Sequence, residues 1–205
     1  MTRKERIRKI VAFSVYILTL SSIQVTFPDF LTFRGQVADM MLVFVVMTGY
    51  FFGSFDGAVV GLVVGFIRDY FAGPSLGGSG NIPGATLGIG MLVFMYIGIF
   101  AAIFFTKKFH RRVLLGFAQI LVFTIIYKIG GHIMSFLVQI LSGRGFEYLS
   151  FNHILLDSIL PQIVVNLIVA IPVILLIRYL GPYKKGVNKM LIEEMDRSGE
   201  AWQIV

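Results

Sequence analysis

The chain reads as six long apolar runs separated by short polar or glycine-rich segments, with approximate limits 9–27, 37–53, 56–72, 83–106, 113–141 and 155–180. A helix needs roughly 20 mostly apolar residues to cross a bilayer. None of the runs shows the period-2 alternation of a barrel strand. A lipid-exposed backbone must satisfy its own hydrogen bonds, so unbroken apolar runs of this kind predict helices. The pattern predicts an all-α integral membrane protein: six transmembrane helices within residues 1–182, then a short cytoplasmic tail over 183–205. Gly53-Ser54-Phe55-Asp56-Gly57 reads as a tight turn between the second and third spans. The fifth run is long for one crossing, so it should tilt or emerge from the bilayer. The first is too long for a signal-peptide core and lacks a clear small-x-small cleavage site, which predicts a retained helix. The segment 142–154 carries Phe146, Tyr148, Leu149, Phe151 and Ile154, and it is expected to lie in the membrane interface.

Composition agrees with this pattern. Of 205 residues, 57% are hydrophobic and only 14% charged, against about a quarter charged in soluble domains. The formal net charge of +7 would suggest nucleic acid in a soluble protein. Here its placement reads as topology. Fourteen of the 18 Lys and Arg residues fall in the N-terminal segment, the 107–112 loop, and the end of the sixth run with the tail behind it. Arg34 and Arg144 fall in the alternate loops, and Arg68 and Lys128 inside spans. The positive-inside rule then places both termini in the cytoplasm, with the basic ends attracted to anionic membrane lipid. No nucleic-acid partner is expected. The absence of Cys excludes disulfides and thiolate chemistry.

Two groups of residues stand out. Gly49, Gly53, Gly57, Gly61 and Gly65 recur every fourth position, with Gly53 and Gly57 assigned to the turn and Gly61 and Gly65 to the third span. Small residues at this spacing let helix backbones approach closely in lipid. They either pack the bundle internally or, over Gly57, Gly61 and Gly65, form a groove for a partner's helix. The second group is ionisable: Asp39, Arg68, Asp69, Lys128, His132 and Asp157 all fall within or at the ends of spans, and Asn166 lies deep in the sixth. Intramembrane charges are costly and mark functional positions by default. The three acids would balance Arg68 and Lys128 in one polar cluster or pocket near the outer surface. The structural alternative is that Asp39 and Asp157 serve helix N-termini and that Arg68 snorkels. Pro172 falls inside the sixth span and is expected to bend it. The three His residues fall at three depths, so no metal site or other cofactor is expected. No hydrolase, zincin or P-loop motif is present, and the chain is not expected to be an enzyme.

The segment Val37-Ala38-Asp39-Met40-Met41-Leu42-Val43-Phe44-Val45-Val46 resembles the start of the second helix in the MreD family of rod shape-determining membrane proteins, with Ala38 in place of the family's Pro. The block from Gly57 to Asp69, followed by Gly73-Pro74-Ser75-Leu76-Gly77, resembles that family's spaced glycines, terminal Asp and Pro-Leu-Gly loop. In that loop Pro74, Leu76 and Gly77 carry the likeness and Ser75 is inserted. The likeness spans residues 36–80.

This resemblance implies a non-catalytic scaffold in the bacterial cytoplasmic membrane. It would bind an MreC-like single-span protein and support rod shape and lateral peptidoglycan synthesis. The implied assembly includes a SEDS glycosyltransferase, a class B penicillin-binding protein and the actin-like MreB filament; a homodimer is a further arrangement to test. The family's fold resembles the S components of energy-coupling-factor vitamin transporters, and such a substrate-binding component is the alternative function. Its usual Ala-x-x-x-Ala docking motif is missing from the first span, where Tyr16 follows Ala12.

Overall fold

The structure is a computed structural model, and it describes residues 3–26, 31–72, 88–103, 113–141 and 154–180. The loop residues Pro74, Leu76 and Gly77 and the tail 183–205 lie outside the described residues. Among the described residues six α-helices dominate: α1 (Arg3–Thr26), α2 (Met40–Phe52), α3 (Ser54–Ala72), α4 (Ile89–Ile103), α5 (Val113–Leu141) and α6 (Leu160–Leu180). A π-helical segment, Ile154–Ile159, leads directly into α6. Three stretches, Ile7–Gln24, Leu114–Ile133 and Ile154–Ile177, are long and apolar enough to cross a membrane. The shorter α2 and α4 are apolar throughout. The described residues are thus mostly helical, with three helices fit to span a membrane.

Two details differ from the sequence pattern. Thr32–Phe33 and Gln36–Val37 form a two-stranded antiparallel hairpin where only a loop is expected. Arg34 and Gly35, both at positive φ, make its two-residue turn, the geometry that matches strand twist. A consequence is that α2 begins at Met40 rather than at 37. The turn between α2 and α3 is also tighter than predicted. Gly53 alone links them, at φ +102, a conformation that favours glycine. Ser54 to Gly57 already form the first turn of α3, so Gly57 is a helical residue. Pro172 lies inside α6, which continues through it.

Helix α2 is the centre of the molecule. All 13 of its residues are buried, and it packs against α1, α3, α4, α5 and α6. The reason is visible in its composition: Met40 to Phe52 contain no charge and no polar face, and a helix that is apolar all round can be enclosed on every side. The other helices are buried on one side only. In α1, Phe13, Ile17 and Leu20 face the core while Ile10, Val11, Val15 and Leu18 are exposed.

The glycine repeat sets the closest packing. A Cβ added at Gly57 would collide with the backbone of Gly98, at Gly61 with that of Phe94, and at Gly65 with that of Gly90. As the residue number rises along α3 it falls along α4, so the two helices pack antiparallel with backbones in contact. Gly49 of α2 also meets Gly98. The face formed by Gly57, Gly61 and Gly65 is therefore filled by the chain's own α4 and presents no open groove to a partner's helix. Of the two readings the spacing allows, internal packing is the one realised. Gly90 and Gly98, eight residues apart on α4, complete the seam and are the residues sequence reading passed over.

Steric demand makes this seam testable. At Gly61 the nearest atoms to an added Cβ include Phe94 C at 2.6 Å and Met95 N at 2.9 Å, all backbone. Gly61→Leu should destabilise the protein by at least about 1–3 kcal/mol through overpacking. At Gly130 an added Cβ meets nothing within 4 Å. Gly130→Ala should be neutral or stabilising by up to about 1 kcal/mol from helix propensity. Thermal unfolding of the two purified variants in detergent checks the contrast. Equal stability of both would show that α3 and α4 do not pack this way.

Candidate functional site

The N-terminus of an enclosed helix presents N–H groups with no water to accept them. At α2 the sequence supplies acceptors from several elements. Asp39 is the N-cap, and its Oδ1 accepts from Leu42 N at 2.9 Å. Gln24 Oε1 from α1 accepts from Met41 N at 3.1 Å. Asn166 Oδ1 from α6 accepts from Asp39 N at 2.8 Å. Each orphan group of the first turn recorded here thus has a partner from outside α2 or from its cap.

Asp39 also carries a charge into this setting, at 5% exposure. Its Oδ2 accepts from Arg68 Nη1 at 2.5 Å, an ion pair between the N-cap of α2 and the last turns of α3. The Arg68 guanidinium lies 5.1 Å from the ring centres of both Phe94 and Tyr127, so its remaining faces meet aromatic π-systems. Asp69, the neighbouring acid, does a different job. Its Oδ2 accepts from Gly88 N at 2.8 Å and Met91 N at 3.3 Å, capping the start of α4 from the end of α3. A side chain at Gly90 would collide with that carboxylate, which explains a glycine there.

Around the ion pair lies a set of neutral hydrogen bonds. Gln162 Nε2 donates to Val37 O at 2.7 Å and to Asn166 Oδ1 at 3.1 Å. Asn166 Nδ2 donates to Thr124 Oγ1 at 3.0 Å. Asn166 and Thr124 are fully buried. The polar groups of α1, α2, α3, α5, α6 and the hairpin thereby meet at one level of the bundle. Lys128 reaches the same level, and its ammonium donates to Gln36 Oε1 at 2.6 Å. One turn further along α5, His132 Nε2 is hydrogen-bonded to Ser158 Oγ on the π-helical segment, 3.2 Å away.

The predicted cluster is partly assembled. Asp39 and Arg68 are in direct contact. Asp69 contacts the start of α4 rather than a cation. Lys128 is held by an amide, with no carboxylate within salt-bridge distance among the described residues. Asp157 is exposed, on the π-helical segment next to Ser158. Gln24, Gln36, Thr124, Tyr127 and Gln162 join the cluster without having been singled out from sequence. A signal existed for two of them. Gln162 and Asn166 are four apart in an apolar helix, as are Thr124 and Lys128, and residues four apart share a face. Tyr127, between the latter two, gives no such signal.

At the opposite end of α2, Lys9 of α1 forms an ion pair with Asp56 in the first turn of α3, and Lys9 also lies 6.0 Å from the Phe13 ring centre. The Gly53 turn is thus held to α1. No group of three His, Asp or Glu residues that could hold a metal ion occurs among the described residues.

Comparison with family models, with curated proteins and with solved structures finds no match to this chain.

The Asp39–Arg68 pair yields a direct expectation. Asp39→Asn keeps a good N-cap but leaves the Arg68 charge without its partner. Breaking a buried pair from one side costs about 3–5 kcal/mol. The Arg68 side chain retains 29% exposure, which puts the expected loss at or below the lower end of that range. Asp39→Asn combined with Arg68→Leu should recover part of the stability, because no unpaired charge is left. Equal loss in the single and double variants, read from thermal unfolding, would rule out the ion pair as the source.

Proposed function

We propose that the chain is a six-span, non-catalytic scaffold of the bacterial cytoplasmic membrane, with both termini inside, acting as an MreD-type component of the lateral cell-wall elongation machinery. The supporting observation is the use to which the polar cluster is put. Asp39, Asp69, Gln162 and Asn166 hydrogen-bond backbone groups, the side chains of Arg68 and Thr124, and one another. That chemistry holds helices in place. A vitamin-binding S component needs several convergent polar groups left over for its ligand; the side chains around Asp39 are engaged with one another, which favours the scaffold, and the donors left over lie at Lys128 on α5.

The proposed topology fits the placement of the ends. Lys9 beside Asp56 brings the basic N-terminal segment and the Gly53 turn to one end of the bundle. The hairpin, Arg68 and Asp69 belong to the other end, and the positive-inside rule puts the basic N-terminal end in the cytoplasm. With the glycine face occupied by α4, an MreC-like single-span partner would dock on outward helix faces. Through it the chain would act on a SEDS glycosyltransferase, a class B penicillin-binding protein and MreB.

The chain contains no Cys, so single cysteines report topology without background. Thr2→Cys and Ser198→Cys should resist a membrane-impermeant thiol reagent in intact cells, and Phe33→Cys should react. Labelling at either terminus would overturn the orientation. For the function, the tagged full chain should co-purify with an MreC-like single-span protein. Stably expressed chain that never captures one, but is stabilised by a vitamin and co-purifies with an ATPase module, would establish the S-component reading instead.

A further inference from the structure

One cation near the polar cluster is left without an acid. Arg68 has Asp39. Lys128, in the middle of α5 and half-buried, has the neutral carboxamide of Gln36. Among the described residues no carboxylate lies within salt-bridge distance of it. Asp39, the nearby acid of the cluster, is engaged by Arg68 and by Leu42 N. An ammonium has three donors, and Gln36 takes one. A charge held away from bulk water calls for a partner of opposite sign.

The chain next to Lys128 leaves room for one. Among the described residues, every other helical glycine, from Gly49 to Gly116, has atoms of another residue within contact of an added Cβ; at Gly130 and Gly131 there is nothing within 4 Å. Lys128, Gly131 and His132 share a helix face, being three and four residues apart. His132 meets Ser158 at 3.2 Å, and Ser158 belongs to the π-helical segment, an irregularity frequent at functional sites. The ammonium and the His132–Ser158 pair, which keeps one N–H or O–H beyond the bond between its members, therefore border an open stretch of α5. The exposed side chains around it, Ile129, Ile133, Phe136 and Leu137, are apolar.

We propose that Lys128, His132 and Ser158, with the gap over Gly131, form a binding site for a phosphate ester. The donors are spread over one helical turn, about 6 Å along the axis. A tetrahedral phosphate with several acceptor oxygens spans that interval better than a planar carboxylate. The ester is carried either by a phospholipid, whose chains would lie along Ile133, Phe136 and Leu137, or by a soluble molecule. The saturated Asp39 cluster takes no part in binding; it fixes the level at which Gln36 meets Lys128.

The test uses the full chain in detergent with three probes: phosphatidylglycerol, glycerol 3-phosphate, and diacylglycerol as the lipid without phosphate. Native mass spectrometry counts bound molecules, and thermal melting reads stabilisation. Wild type should bind phosphatidylglycerol or glycerol 3-phosphate, and diacylglycerol should have no effect; the probe that binds identifies the source. Lys128→Gln should weaken binding about tenfold or more, the loss of one hydrogen bond from a charged group, while Lys128→Arg retains it. Gly131→Leu fills the gap and leaves every donor in place, and the empty space at its Cβ means that it should fold. It should also abolish binding, and it carries the test if Lys128→Gln does not fold. Wild type that binds neither phosphate probe, or Gly131→Leu that binds like wild type, overturns the site.

Discussion

A helix enclosed on every side must satisfy the backbone groups at its ends without water, and this constraint organises the molecule. Every residue of α2 is buried, so its first N–H groups need acceptors from elsewhere. Asp39, Gln24 and Asn166 supply them. Asp39 is a strong acceptor because it is charged, but its charge then has to be balanced, and Arg68 does so from α3. Once Arg68 is there, the Phe94 and Tyr127 rings cover it. The α2 cap thus leads by successive necessity to contributions from α1, α3, α4, α5 and α6.

The second constraint is close approach. In lipid there is no hydrophobic drive between helices, so small residues and dispersion contacts decide which pairs form. The seam in which Gly57, Gly61 and Gly65 meet Gly98, Phe94 and Gly90 brings α3 and α4 together at backbone distance. Asp69 then reaches from the end of α3 to cap the start of α4. The two helices behave as a unit, attached to the core by an ion pair at each end, Arg68 with Asp39 and Lys9 with Asp56. Stability and register share the same residues here, since a shift by one turn would break the glycine contacts and the Asp69 cap together.

The helices were legible in the sequence because apolar runs of this length have one solution in lipid. The glycine spacing was legible as close packing, but not its partner: nothing in Gly61 itself distinguishes α4 from a helix of another protein, and the answer lies in Gly90 and Gly98. Nor could the sequence rank the helices by burial. Helices facing lipid and helices facing protein are equally apolar, so the enclosure of α2 became apparent only when its neighbours were placed. The hairpin was missed because Thr32, Phe33, Gln36 and Val37 form strands too short to show alternation. For the polar site, ionisable residues announced themselves by their cost in the bilayer. Amides and hydroxyls did not, and Gln24, Gln36, Thr124 and Gln162 therefore escaped notice although they complete the network.

Asp39 with Arg68 and Lys128 with Gln36 differ in a way that separates architecture from recognition. The first pair balances its charges: the carboxylate meets a guanidinium that lies against two aromatic rings. The second is open, with an ammonium on an amide beside two glycines that touch nothing. A bundle that pairs its charges at one point and leaves an ammonium on a neutral amide at another has divided its polar residues between holding the fold and meeting something outside it. The first part fixes the position of the second, because Gln36 belongs to the hairpin strand whose Val37 carbonyl accepts from Gln162.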